Sequence, residues 1–378
     1  MSETNRTFSA WSVPPDLPAP GGPGAGFQAG GIRVRYPEAG APWVRRVAEG
    51  LRNAGAALRA SSARELSAVI GTVGARFLDP ADTLRQRALN LLPSTSGLSP
   101  EMASAVLDGM ASDWTAERLW RLLDAEFTDP GALDGFVRGG TGRVRAVGPE
   151  LCVQIVSGSV PGVGATALIR SLLVKGPTLL KPGRGDVVLP VLFAEALRDA
   201  DPVVGNAAAV VYWPGGTEPL EDAALMAADV VTAYGADEVV RALRARTPVS
   251  TRFVGYHHRV SFGVVGREAL DARHRHRAAS EVAGSVGFFD QRGCVSPQVI
   301  YVEEGGETSP VEFARELAVA MEALELHLPG GVLDPLEASA VHQVRGTAEL
   351  LAAAGSGVEV HHGGVSSWTV IYDPAPGF

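Results

Sequence analysis

Cysteine and lysine are nearly absent from this chain. Its 378 residues hold two cysteines, Cys152 and Cys294, and two lysines, Lys175 and Lys181; arginine supplies the other positive charge. Two cysteines so far apart do not make a disulfide scaffold, and a reducing cytoplasm is the expected setting. The formal net charge is −9. No basic run is interleaved with aromatics, so nucleic acid is not an expected partner. No apolar run approaches the ~20 residues of a membrane span. No basic segment followed by an apolar one opens the chain as a secretory signal would. A Walker A motif and a Gly-x-Gly-x-x-Gly fingerprint are missing too. Histidines are few and badly spaced for metal: His274 and His276 lie two apart on an expected helix, and His361 and His362 are adjacent on an expected strand. Each pair points to different faces, so no metal site is expected.

What is there alternates. Residues 1–42 are rich in proline and glycine and read as a loosely held leading segment. An apolar stripe of Val44, Val47, Leu51, Ala54 and Leu58 then predicts a helix over 43–60. Further helices are expected near 63–77, 81–92, 100–112 and 115–125, as a packing layer. From about 144 the pattern becomes strand, loop, helix. Strands are expected at 151–156, 178–180, 208–212 and 229–232, separated by helices of about 10–15 residues, which predicts a parallel sheet of βαβ units. Thr217 is expected to cap one of these helices. Beyond 247 two short strands flank Tyr256-His257-His258-Arg259, and a helix over 271–286 leads to Cys294. Ser309-Pro310-Val311-Glu312 and Asp334-Pro335-Leu336-Glu337 have the form of capping boxes that open long helices. The chain therefore divides, on sequence, into 1–42, a cofactor-binding region over 43–255 and a catalytic region over 256–378. Length allows this.

Three places carry candidate chemistry. Gly293-Cys294-Val295-Ser296-Pro297-Gln298 puts a thiol on a glycine-flanked loop, where it can be approached and served by backbone N–H groups. On the loop alone, a small buried hydrophobe is as good a reading. Gly158-Ser159-Val160-Pro161-Gly162-Val163-Gly164 is a turn between strand and helix whose N–H groups can meet an anion or a developing oxyanion; a purely structural turn competes equally. Lys181 ends a buried strand ahead of Pro182-Gly183-Arg184, at the sheet edge where ligands of open α/β sheets bind. It can hold a ribose hydroxyl or a 2′-phosphate, with Arg184 assisting on the phosphate; a solvated strand end is the competing reading. His257 and His258 lie upstream of Cys294, and a histidine near a cysteine can relay protons, although for a single histidine taken alone a role without chemistry is the better reading.

In this order, Gly158-Ser159-Val160-Pro161, Leu180-Lys181-Pro182, Pro214-Gly215-Gly216, Tyr234-Gly235 and Gly293-Cys294 resemble the aldehyde dehydrogenase superfamily. Within it, the cysteine loop through Gln298 and His258-Arg259-Val260-Ser261-Phe262-Gly263 resemble the acyl-CoA reductases of bacterial luciferase operons, the LuxC type. The resemblance runs from about residue 45 to the end. It implies an aldehyde dehydrogenase-like α/β fold: a Rossmann-like parallel-sheet cofactor domain, an α/β catalytic domain carrying the cysteine, and a helical N-terminal region. It implies reduction of a fatty acyl thioester, acyl-CoA or acyl-protein, to the aldehyde through an acyl-cysteine on Cys294. Ser159 would stand where the superfamily places an oxyanion-binding asparagine. His258 falls about where aldehyde-oxidising members carry a general-base glutamate, and becomes the candidate proton relay. Lys181, Arg184, Pro161, Gly215 and Gly235 would bind the nicotinamide cofactor, NADPH by the Lys181–Arg184 pair, with NADH the alternative. An acyl-protein synthetase is the candidate partner and a homo-oligomer the expected assembly. Superfamily members continue past the position of Phe378, adding a segment that grips the nicotinamide ribose and a strand used in oligomerisation. Other readings of the same fold are an aldehyde dehydrogenase, an acyl-phosphate reductase, or a non-catalytic subunit.

Overall fold

The computed structural model describes residues 6–17, 24–140, 142–364 and 368–375. They form two compact units, one from 1–96 with 104–258 and one from 97–103 with 259–378.

The first unit opens on four strands, β1 (Arg6–Ser9), β2 (Trp11–Ser12), β3 (Ala25–Ala29) and β4 (Ile32–Tyr36). The leading stretch was expected to be loose. Where it is described it is instead built in: Phe8, Ile32 and Val34 are buried, and β1, β4 and β3 make a three-stranded sheet. The strands are too short, and too close to proline and glycine, for their alternation to stand out in composition. Five helices follow: α1 (Ala41–Ala60), α2 (Ala63–Arg76), α3 (Thr83–Ser96), α4 (Pro100–Ser112) and α5 (Ala116–Glu126). This is the expected helical region. Ser62 and Glu65 close a capping box on α2, and the α1 stripe buries Val44, Val47 and Leu51 in one cluster with Leu151, Val153, Leu179 and Ala209 of the main sheet. Each such side chain contributes roughly 1.5–3 kcal/mol of burial.

A short ladder, β5 (Val137–Arg138) with β6 (Arg143–Val144), precedes the main α/β run. That run is β7 (Cys152–Ile155), α6 (Val163–Leu173), β8 (Thr178–Lys181), α7 (Val188–Ala200), α8 (Pro202–Gly205), β9 (Ala208–Val211), α9 (Glu218–Ala227), β10 (Val230–Tyr234), α10 (Asp237–Arg246) and β11 (Arg252–Tyr256). The sheet order is β11-β10-β7-β8-β9-β2. Every pair is parallel except the last, where β2 lies antiparallel to β9. β7, β8 and β9 are buried at every residue, the mark of a sheet covered on both faces. The topology makes one reversal, between β7 and β10, and a ligand crevice belongs at the carboxyl ends of such strands. The expected parallel sheet is therefore the framework of this unit.

The second unit holds β12 (Ser261–Val265), α11 (Arg275–Gly287), β13 (Pro297–Val302), α12 (Pro310–Glu325), α13 (Pro335–Ala353), β14 (Glu359–His362) and β15 (Thr369–Tyr372). β12 and β13 pair in parallel with a register shift at Ser261/Phe262, so α11 is a crossover helix. Val265, Leu270, Ala279 and Phe313 form one core cluster, and Ala283, Leu317 and Met321 another. Both expected capping boxes form, Ser309 with Glu312 and Asp334 with Glu337. Thr217 behaves differently: its hydroxyl donates to the Pro214 carbonyl at 2.7 Å and gives α9 no cap. No helix of the described residues is long and apolar enough to cross a membrane.

Candidate active site

In the first unit the carboxyl end of β7 runs into the 158–164 turn. Gly162 takes φ +97° and α6 starts one residue later. This turn lies backbone to backbone against the one after β8. A Cβ on Gly183 would sit 2.1 Å from the Gly158 nitrogen, one on Gly158 2.6 Å from the Gly185 nitrogen, and one on Gly185 2.3 Å from the Gly158 oxygen. Only glycine fits those three positions.

The turn is also tied by Asp186, which the sequence reading missed. Its carboxylate is fully buried and accepts from the Gly162 N–H at 2.7 Å and the Gly164 N–H at 2.6 Å. These two donors at the start of α6, expected to be open to a ligand, are taken by the chain itself. Burial pushes the Asp186 carboxyl up to about 7, against the pull of the two N–H groups. An acid inside the apolar run Gly185-Asp186-Val187-Val188-Leu189 was the signal available in the sequence. A folded carboxyl raised above its unfolded value near 4 favours folding most below pH ~4, and that contribution fades as pH rises toward about 7. Asp186→Asn stays neutral and should flatten this decline. Denaturant unfolding at pH 5 and pH 8 should differ by roughly 1–3 kcal/mol less in the variant than in the parent protein.

Ser159 is exposed on the turn and Pro161 is buried behind it. Lys181 ends β8 with 8% of its surface exposed, and Nζ lies 5.7 Å from the centroid of the Tyr212 ring. Burial lowers its pKa, with Glu221 opposing; its ammonium makes no hydrogen bond or ion pair among the described residues. An ammonium buried in this way lacks the anion or hydroxyl that its charge calls for. That suits a nucleotide ribose or phosphate. Arg184 is exposed and lies over Phe27, 4.4 Å from the ring centroid. Gly215 has open space on its Cβ side. The adjacent Gly216 N–H donates to Glu221 Oε1 at 3.0 Å, and Glu221 pairs with Arg246 at 2.8 Å. The Gly235 N–H donates to the Tyr256 carbonyl at 3.1 Å, beside the stacked Tyr234 and Tyr256 rings, 4.6 Å apart. The expected cofactor residues thus gather on the turns at the carboxyl ends of β7, β8, β9 and β10. His258 is exposed just past β11, and its N–H donates to Asp237 at 3.1 Å.

In the second unit Cys294 is exposed, on a turn between α11 and β13. Ser261 Oγ donates to its carbonyl, and Ser296 closes the turn through its N–H to the Gly293 carbonyl at 3.0 Å. The Cys294 N–H makes no hydrogen bond among the described residues, so it is open to a developing oxyanion. Upstream, Phe289, Asp290 and Gln291 have φ of +63°, +50° and +57°, at a cost of about 1–2 kcal/mol each. Asp290 holds the Gly331 N–H at 3.1 Å and Gln291 the Pro297 carbonyl at 2.9 Å, which keep that run in place. A pocket of about 480 Å³ beside the loop is lined by Phe288, Phe289, Val295 and Ser296 with residues of α11. The other thiol is different. Cys152 is buried and desolvation pushes it up to about 11, so it is inert near neutrality. No group of His, Cys, Asp and Glu among the described residues could hold a metal.

The family described as Acyl-CoA reductase (LuxC) matches residues 62–376. A long-chain acyl-protein thioester reductase of Aliivibrio fischeri is 25% identical over 317 residues, covering 81% of this chain and 62% of that protein. The protein of the same description from Vibrio harveyi is 25% identical over 239 residues, covering 61% and 48%. The chain thus spans less than two thirds of either relative. Among solved structures, a mutant aldehyde dehydrogenase C from Pseudomonas syringae, complexed with NAD+ and octanal, superposes with a TM-score of 0.69 at 16% identity, covering 95% of this chain and 72% of its own. A benzaldehyde dehydrogenase from Corynebacterium glutamicum gives 0.67 at 17% identity, covering 88% and 71%. The fold is that of the aldehyde dehydrogenases.

Proposed function

Since the chain belongs to the acyl-CoA reductase (LuxC) family, we propose that it reduces a long-chain fatty acyl thioester to the aldehyde through an acyl group held on Cys294, with NADPH as reductant. The observation that carries this is the exposed Cys294 thiol on a turn with an unengaged N–H, in a chain whose other thiol is buried.

As thiolate, Cys294 Sγ attacks the thioester carbonyl carbon. The C–S bond to the leaving thiol breaks, that thiol departs with a proton, and the acyl group remains on Sγ. The Cys294 N–H steadies the charge that builds on the carbonyl oxygen, with Ser159 as second donor in this reading. A reduced nicotinamide dinucleotide, held by Lys181 and Arg184 with the turns at Pro161, Gly215 and Gly235, supplies the hydride when bound. Breaking the carbon–Sγ bond then frees the aldehyde and regenerates the cysteine, and His258 is read as the proton relay. One thioester and one NADPH with a proton give one aldehyde, one thiol and NADP+. An acyl-protein synthetase as acyl donor and a homo-oligomer as working assembly belong to the same reading.

The test is to incubate the protein with long-chain acyl-CoA, weigh it intact, and follow NADPH absorbance. A mass increase equal to the acyl group and thioester-dependent NADPH loss are expected. No adduct with acyl-CoA or acylated carrier protein would sink the reading. Faster oxidation of free aldehyde than reduction of thioester would replace it with aldehyde dehydrogenase activity.

A further inference from the structure

The β3–β4 hairpin reaches into the cation cluster at the ends of β8 and β9. Arg184 is exposed yet held: its guanidinium lies over the face of Phe27 and donates to the Gln28 carbonyl at 3.2 Å. The Phe27 ring meets Tyr212 at 5.4 Å, and Tyr36 meets Tyr212 edge-on at 5.2 Å. Lys181 Nζ lies 5.7 Å from that same Tyr212 ring. Two cations therefore share one aromatic cluster. Glu221 is the carboxylate that acts on Lys181, and it is already committed to Arg246 and the Gly216 N–H. The cluster is therefore rich in positive charge and short of a counter-anion.

We propose that the β3–β4 hairpin is a specificity element for the nucleotide, with Phe27 and the Gln28 carbonyl holding Arg184 where, together with Lys181, it takes the 2′-phosphate of an adenosine ribose. This rests on the reading of this unit as the nucleotide site. A guanidinium presents several N–H donors in a rigid fork suited to phosphate oxygens. One is occupied by Gln28, which leaves others for a ligand. A long side chain already fixed on an aromatic face loses less freedom when the ligand arrives. Phe27 is thus a positioning residue, and its effect should be confined to ligands that carry the 2′-phosphate.

The readout is the dissociation constant of the full chain for NADPH and for NADH by fluorescence titration, with 2′,5′-ADP and 5′-AMP as competitors. Phe27→Ala should weaken NADPH and 2′,5′-ADP about five- to tenfold, and leave NADH and 5′-AMP within twofold. Phe27→Trp keeps an aromatic face and should restore the preference. Arg184→Gln should lose at least as much as Phe27→Ala, and adding Phe27→Ala to it should cost nothing further. Equal weakening of both nucleotides, or no change in either, with unaltered thermal unfolding, overturns the proposal and leaves the nucleotide site standing. Wild-type protein that binds neither nucleotide overturns both.

Discussion

Cys294→Ala should abolish covalent acylation and lower thioester-dependent NADPH oxidation by at least about 10³-fold, the scale on which loss of a covalent nucleophile is felt. The exposed Cys294 thiol is the only one in the chain that a substrate can reach, because Cys152 is buried and pushed up to about 11. Cys152→Ser is the matched control and should keep both the mass adduct and turnover. Nucleotide binding should be untouched by Cys294→Ala, since Lys181 and its surroundings belong to the other unit. Intact-mass measurement after a brief exposure to acyl-CoA decides the matter. An adduct that persists in Cys294→Ala would move the nucleophile elsewhere.

Lys181→Met should act with opposite signs on two readouts. Nucleotide affinity should fall by about 10²-fold, the loss of a buried charged contact worth about 2–3 kcal/mol. The fold should become more stable, by about 1 kcal/mol. Lys181 is 8% exposed and its ammonium makes no hydrogen bond or ion pair among the described residues, and burying a charge without a partner opposes folding. Methionine keeps the length and the packing against Tyr212 without that penalty. Titration of NADPH and denaturant unfolding without ligand give the two numbers. A variant that binds as well as the parent would remove Lys181 from the site. One that binds poorly and is also less stable would make Lys181 a structural residue.

The sheet and its helices were legible because their signals are periodic. The α1 stripe, the buried strands β7 to β9 and the capping boxes at Ser309 and Asp334 all stand where the residues place them. The positions of Lys181 and Gly235 at strand ends follow from strand boundaries alone. What stayed hidden depends on contacts far apart in sequence. Nothing near Phe27 says that it will face Arg184, and β2 is a two-residue strand that exists only because β9 is there to receive it. Asp186 looks like a surface acid in a short turn until the fold closes over it and gives its oxygens to Gly162 and Gly164. Thr217 shows the converse: a good capping residue by type finds a nearer acceptor at Pro214 and leaves the helix uncapped.

The contact between the turns after β7 and β8 has a consequence for genetics. The groups that would collide with a side chain at Gly158, Gly183 or Gly185 are peptide atoms of the opposing turn. Trimming a neighbouring side chain elsewhere can relieve an ordinary core clash, but no amino-acid replacement removes a backbone nitrogen or carbonyl. Loss-of-function alleles at these three positions should therefore yield revertants to glycine and no second-site suppressors within the trio. Alleles at Phe27 or Tyr212, whose neighbours are side chains, should be open to compensation.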